Sequence, residues 1–150
     1  DVPAMIRSAS RLFVYPMVDR EPLPTWRRGN VVLLGDAAHP MYPVGSNGAS
    51  QAIIDARILA RELAVRSSVD EAVGAYESLR LPATSAVVLS NRQAGPEQCM
   101  ELVAARAPDG FERLDDVISQ AELEEISSRY KRLAGFDPDT LNRRESWSVR

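Results

Sequence analysis

The sequence holds one cysteine, Cys99, and one histidine, His39. A single cysteine excludes an intrachain disulfide and leaves a structural zinc site without ligands. A reducing, cytoplasmic setting fits that usage. With one histidine and no Gly-x-Ser-x-Gly, triad and metal readings lack their partners, so no catalytic and no metal residue is assigned. Long apolar runs are absent. Stretches such as Ala86 to Leu89 fall far short of the ~20 residues of a spanning helix, which argues against a membrane. No N-terminal signal pattern is present. The net charge of −3 is too small to argue for nucleic acid. The eight glycines stand at 29, 35, 45, 48, 74, 95, 110 and 135, so no Gly-x-Gly phosphate cradle occurs. The remaining composition, 45% hydrophobic and 26% charged, is ordinary for a globular protein.

What is present concentrates between Asn30 and Ala52, NVVLLGDAAHPMYPVGSNGASQA. The apolar run Val31 to Leu34 predicts a buried strand that stops at Gly35-Asp36. Asp36 to Tyr42 reads as a tight, single-turn connection. Pro43, Gly45 and Gly48 then lead into a helix over about 48–65, with Ala49, Ala52, Ile53, Ala56, Leu59, Ala60 and Leu63 as its apolar pattern. A strand ending in a carboxylate, followed by a glycine-rich loop and a helix start, suits an anionic or hydrogen-bond-hungry cofactor. The helix start offers N–H groups without intrahelical partners and a partial positive charge.

The segment resembles the second cofactor motif of FAD-dependent aromatic monooxygenases, the single-component class related to para-hydroxybenzoate and salicylate hydroxylases, and within it the phenazine-modifying members. Gly35-Asp36-Ala37-Ala38-His39-Pro40, Pro43, Gly45 and Gly48 carry the likeness. It extends upstream through Tyr15-Pro16-Met17-Val18-Asp19-Arg20 and Pro22-Leu23-Pro24-Trp26, and downstream through Tyr76-Glu77-x-x-Arg80-x-Pro82. Beyond about Gly95 nothing is carried over. The resemblance implies that Asp36 meets the ribityl chain of FAD and that the N–H groups of Gly48, Ala49 and Ser50 meet the pyrimidine edge of the flavin. Many relatives carry asparagine where this chain has Ser50. The implied cofactor site comprises Gly35, Asp36, Pro43, Gly45, Asn47, Gly48, Ala49 and Ser50, with Pro43 towards the substrate. NAD(P)H is the implied co-substrate, O2 and a small aromatic or phenazine-like molecule the other reactants.

The resemblance also implies an opening βαβ unit with Gly-x-Gly-x-x-Gly, which is missing here, and the chain starts at Asp1. The expectation is therefore a C-terminal fragment of a longer enzyme, inactive by itself and prone to self-association through uncovered apolar faces. The expected fold is an α+β fragment, mainly α: a C-terminal piece of the FAD/NAD(P)-binding α/β fold, with two or three short strands followed by helices. Residues 1–27 would close a substrate-domain sheet and its connecting loop, 28–68 would form the strand-loop-helix part of the FAD-binding domain, and 69–150 a C-terminal helical region.

Other elements follow from local signals. Leu12 to Tyr15 predicts a short strand. Ser68-x-x-Glu71 and Ser119-x-x-Glu122 resemble capping boxes. The first opens a helix to about Arg92, with a kink or break at Pro82. Glu97 to Arg106 predicts a short helix, and Pro108-Asp109-Gly110 a turn. The second box opens a helix with Leu123, Ile126, Tyr130 and Leu133 on one face, closed by Gly135. Asp137-Pro138 suggests a last short helix within a polar tail to Arg150.

Plainer readings stand beside these. Asp36 alone could cap a helical turn. Asn47-Gly48 is a hairpin-turn signal, but no strand follows. Gly45-x-x-Gly48 also occurs in KH domains, yet Arg28 and Arg57 are too distant in sequence to flank a nucleic-acid clamp. His39 reads as a structural hydrogen bonder, and Ser46 and Ser50 as loop residues. Arg7, Arg11 and Arg20 read as a solvated face, and Cys99 as a packing residue. Flavin halogenases and reductases share the Gly-Asp motif; the halogenase Trp-x-Trp-x-Ile-Pro signature is absent from this chain. A non-catalytic helical interaction module is the reading from a different class.

Overall fold

Six helices and one hairpin make up the computed structural model, which describes residues 1–148. They are α1 (Val2–Ser8), β1 (Arg27–Arg28), β2 (Val31–Val32), α2 (Gly48–Val65), α3 (Val69–Asn91), α4 (Gln98–Arg106), α5 (Gln120–Ala134) and α6 (Pro138–Arg143). The chain is mainly helical, with a two-stranded antiparallel sheet. The last two positions of the polar tail, 149 and 150, lie outside the described residues.

The strand expectations need correction. Leu12 to Tyr15 is not a strand: Leu12, Phe13, Val14 and Tyr15 are all exposed, Val14 at 94%. A strand needs a partner for its N–H and C=O groups, and none lies beside this segment among the described residues. The run from Val31 is also less buried than its composition suggests, since Val31 is 70% exposed. It pairs only as the second arm of a hairpin, Arg27 opposite Val32 and Arg28 opposite Val31, around Gly29 at φ +57°. One face of that hairpin rests on α3. Glu77 accepts the backbone N–H of Trp26, the Thr25 hydroxyl at 2.6 Å and the Arg27 N–H at 3.2 Å.

α2 spans the expected residues but presents a different face. Gln51, Asp55, Ile58 and Glu62 are its buried positions, spaced i, i+4, i+7 and i+11. Ile53 is 63% exposed and Leu63 48% exposed. A mostly polar stripe thus packs inward; of the predicted apolar positions Ala52 and Leu59 are half-buried, while Ala49, Ile53, Ala56, Ala60 and Leu63 are exposed.

α3 starts at Ser68, whose side chain accepts from Glu71 N–H. Only half of the predicted box forms there, because Glu71 turns to Ser67 instead. The helix runs through Pro82 without a break. Buried Tyr76, Arg80, Thr84, Val87 and Val88 hold both sides of the proline in place, and this packing outweighs one lost backbone bond. The box at Ser119 and Glu122 is complete, and Gly135 ends α5 at φ +76°. Within the predicted apolar face of α5, Ile126 and Tyr130 are buried.

One core gathers Trp26, Ala38, Ile58 and Tyr76, with Leu33, Ile54 and Trp147 against it. A second gathers Val87, Tyr130 and Ala134, with Met41 and Phe136. The Asn30–Ala52 segment runs between them.

Candidate functional site

The site is built on two turns at the start of α2. The first is the 3-10 turn Gly35–Ala37. Gly35 sits at φ +58°, and a Cβ there would lie 3.3 Å from the Ala52 methyl group. Glycine alone meets both conditions without strain. Its N–H donates to Asp55 Oδ2 at 3.0 Å, and its carbonyl accepts from Ala38 and His39 N–H, both at 2.9 Å. Arg20 donates to the carbonyls of Ala37 and Ala38 at 2.8 and 3.2 Å. Arg20 is exposed, in keeping with a solvated face, and its guanidinium also fastens the turn.

Asp55 is the fixed point of this region. His39 Nε2 lies 2.5 Å from Asp55 Oδ2, and Arg80 Nε donates to Oδ1 at 2.7 Å. Arg80 also donates to Gln51 Oε1 at 2.5 Å, and Gln51 Nε2 to the Ala134 carbonyl at 3.0 Å. Burial by itself raises the Asp55 pKa. Hydrogen bonds from His39, Arg80 and Gly35 outweigh it and hold the carboxyl below its ordinary value. Asp55 is thus a buried anion that ties α2, α3 and the Gly35 turn together. His39 is a structural hydrogen bonder, as its sequence context predicts.

The second turn is Val44–Ser46, with Gly45 at φ +69°. A Cβ on Gly45 would lie 2.4 Å from the Tyr130 hydroxyl. Gly45 N–H donates to Glu97 Oε1 at 3.0 Å. Asn47 is buried, and its side chain donates to the Tyr130 hydroxyl at 2.8 Å. That hydroxyl donates to Asn91 Oδ1 at 2.7 Å, and Asn91 Nδ2 to the Tyr42 carbonyl at 3.1 Å. Burial, with the nearby Glu97 charge, raises the Tyr130 pKa, so the hydroxyl stays protonated.

Between the turns, α2 begins at Gly48 with no side-chain cap. The first backbone bond of the helix is Gln51 N–H to the Asn47 carbonyl at 2.9 Å. Gly48, Ala49 and Ser50 N–H groups therefore have no acceptor among the described residues. The Asp36 carboxylate is exposed and makes no hydrogen bond there either, so it is not acting as a helix cap. A Cβ on Gly48 would stand 4.0 Å from Asp36 Oδ1 and 4.0 Å from Met41 Cγ. The protein itself leaves room at Gly48, in contrast to Gly35 and Gly45. Pro43 is exposed beside the second turn. The fold thus brings Gly35, Asp36, Gly45, Asn47, Gly48, Ala49 and Ser50 to one end of α2.

Comparison with known proteins gives the family of this segment. The family described as "FAD binding domain" matches residues 14–91, more than half of the chain. The chain belongs to that FAD-binding family. FAD is the family's cofactor, and the free acceptor at Asp36 beside three free donors fits its mixed acceptor and donor edges. Phenazine 1,6-dicarboxylic acid hydroxylase PhzS of Lysobacter antibioticus is 50% identical over 109 residues, 73% of this chain and 26% of the relative. 6-Hydroxynicotinate 3-monooxygenase of Bordetella bronchiseptica is 48% identical over 60 residues, 40% of this chain and 16% of the relative. 3-Amino-4-hydroxybenzoate 2-monooxygenase PtnB3 of Streptomyces platensis is 38% identical over 123 residues, 77% of this chain and 31% of the relative. The chain spans less than a third of the length of these relatives.

Sequence reasoning missed the supporting residues. Asp55 and Gln51 were hidden inside an apolar helical pattern, although a carboxylate next to Ile53 and Ile54 was a usable signal. Arg80 stood in the resemblance without a role. Glu97 and Tyr130 lie outside the 14–91 match, and nothing in their local sequence points to the loop they touch. No cluster of three or more potential metal ligands occurs among the described residues. No helix there is long and apolar enough to cross a membrane.

Proposed function

We propose that this chain is the C-terminal piece of the FAD/NAD(P)-binding fold of a flavoprotein monooxygenase. Such an enzyme would hydroxylate an aromatic or phenazine-like substrate with NAD(P)H and O2. The observation that carries this reading is the unpartnered Asp36 carboxylate beside the uncapped start of α2. The hydroxylase and monooxygenase names of the relatives favour the same class.

In this reading Asp36 accepts hydrogen bonds from the ribityl hydroxyls of FAD, and such charge-assisted bonds are the stronger kind. The N–H groups of Gly48, Ala49 and Ser50 donate to the pyrimidine edge of the flavin. FAD, when bound, supplies the redox chemistry that delivers oxygen to the substrate. The chain would supply orientation and field: the α2 N-terminus would turn its free N–H groups and partial positive charge towards the flavin edge it holds. An exposed helix end is worth ~0.3–1 kcal/mol to a negative charge, and up to ~2 kcal/mol when partly buried. Pro43 borders the substrate side, and Asp55, Arg80 and Arg20 keep the Gly35 turn in place.

The test is Asp36→Ala in the full-length protein. Flavin content after purification should fall markedly while circular dichroism stays normal. Unchanged flavin content would remove Asp36 from the cofactor site.

A further inference from the structure

An asparagine ahead of a helix normally caps it. Its backbone is extended, and its side-chain oxygen accepts from the second or third N–H of the helix. Asn47 does neither. Its backbone lies at φ −99° and ψ −14°, and it makes no cap bond. Its side chain is instead drawn 2.8 Å from the Tyr130 hydroxyl, in a buried position. Tyr130 belongs to α5, 83 residues further along the chain. The same ring fills the space over Gly45, and Glu97 accepts from Gly45 N–H at 3.0 Å, so α5 and Glu97 both touch the turn that precedes Asn47.

We propose that Tyr130 is a positioning residue that holds Asn47 away from the start of α2 and so keeps the Ala49 and Ser50 N–H groups free for an external acceptor. The inference rests on the FAD reading for the identity of that acceptor, an anionic or carbonyl-bearing ring edge. The device itself belongs to the chain. Losing the Tyr130 hydroxyl releases the Asn47 side chain, and its Oδ1, turned with it, then competes as an acceptor for one of the same two N–H groups. Tyr130 thus acts through Asn47 and touches no cofactor. A purely structural tyrosine would make a different prediction: its loss would loosen the loop and leave α2 as bare as before.

The experiment uses the full-length protein as wild type, Tyr130→Phe, and Tyr130→Phe with Asn47→Gly. In the FAD-free form, Tyr130→Phe should slow amide exchange by about tenfold at Ala49 or Ser50, whichever N–H the Asn47 oxygen takes, the effect of one new hydrogen bond. Adding Asn47→Gly should return exchange to the wild-type rate, because the competing side chain is gone. FAD affinity should be about tenfold weaker in Tyr130→Phe. Exchange at Ala49 and Ser50 that is unchanged or faster in Tyr130→Phe would overturn the proposal. So would a double variant in which exchange stays slow. A wild-type protein that holds no FAD would sink the cofactor reading alone, while the exchange rates would still decide the role of Tyr130.

Discussion

At Asp55 a buried carboxylate receives bonds from His39, Arg80 and Gly35. Its folded pKa lies below the ordinary 3.8. The ionised form is therefore the one the fold prefers. The stabilisation is complete above the titration range of the unfolded carboxyl and is lost as pH falls through the lower folded value. Stability should hold down to about pH 4 and decline below it. Asp55→Asn should cost about 3–5 kcal/mol, because Arg80 is left buried with half its partners. Urea titrations from pH 7 to pH 2 measure both effects, and an equal cost at every pH would contradict the ionised Asp55. Gly45 gives a second residue-scale prediction. Gly45→Ala forces a Cβ against Tyr130 at a positive φ, and should destabilise by about 1–3 kcal/mol in the same assay. Gly48→Ala meets only ordinary contacts and should leave stability nearly unchanged. The place of Asp36 in a tight turn was legible because it ends an apolar run at a Gly-Asp pair. Asp55 was not, since one charged residue in a helical pattern does not reveal whether it points inward.

The helices from α2 onward were the legible elements, because each carries a periodic pattern or its own start and stop. α5 starts at its cap and ends at Gly135, and α2 spans 48–65 on its periodic pattern alone. Ser119 and Glu122 close a reciprocal box, and its bonds together with Arg106 pull the Glu122 pKa down to about 2. Ser119→Ala should lower Tm by about 2–5 °C, as loss of one cap typically does in a chain of this size. A thermal melt followed by circular dichroism is sufficient, and an unchanged Tm would mean α5 is held by packing alone. Strands were read less well. A strand is defined by its neighbour, and Leu12 to Tyr15 has the composition of a strand without a neighbour. Pro82 was misjudged for a similar reason: the cost of a proline is local, but the burial of Tyr76, Arg80 and Thr84 that offsets it comes from other elements.

Across the whole molecule, the outward face of α2 and the segment from Leu12 to Val18 leave apolar side chains bare. Exposed apolar surface of that extent ordinarily finds a cover. The isolated chain should therefore elute above 16.5 kDa on calibrated gel filtration, and Ile53→Ser with Leu63→Ser should shift it back towards that mass. A clean monomer at high concentration would argue against this. The isolated chain should also fail to bind FAD at submicromolar concentration in a fluorescence titration, since it has no diphosphate cradle. The expectation of uncovered apolar surface came from the βαβ unit that the resemblance implies. It could not indicate which face of α2 would turn outward, because that choice was made by the polar stripe facing α3.

The bonds joining Asn47, Asn91 and Tyr130 also limit how such proteins can be recombined. A crossover between two relatives placed just after Asn91 looks neutral, since it falls at the end of the family match. It separates two buried asparagines from the hydroxyl that satisfies both. A chimera that inherits phenylalanine at the Tyr130 position keeps every helix and still strands two buried amides, each a cost of about 1–3 kcal/mol. The three positions should be inherited as one unit, and a library of chimeras sorted by solubility should show that linkage before any sequence comparison does.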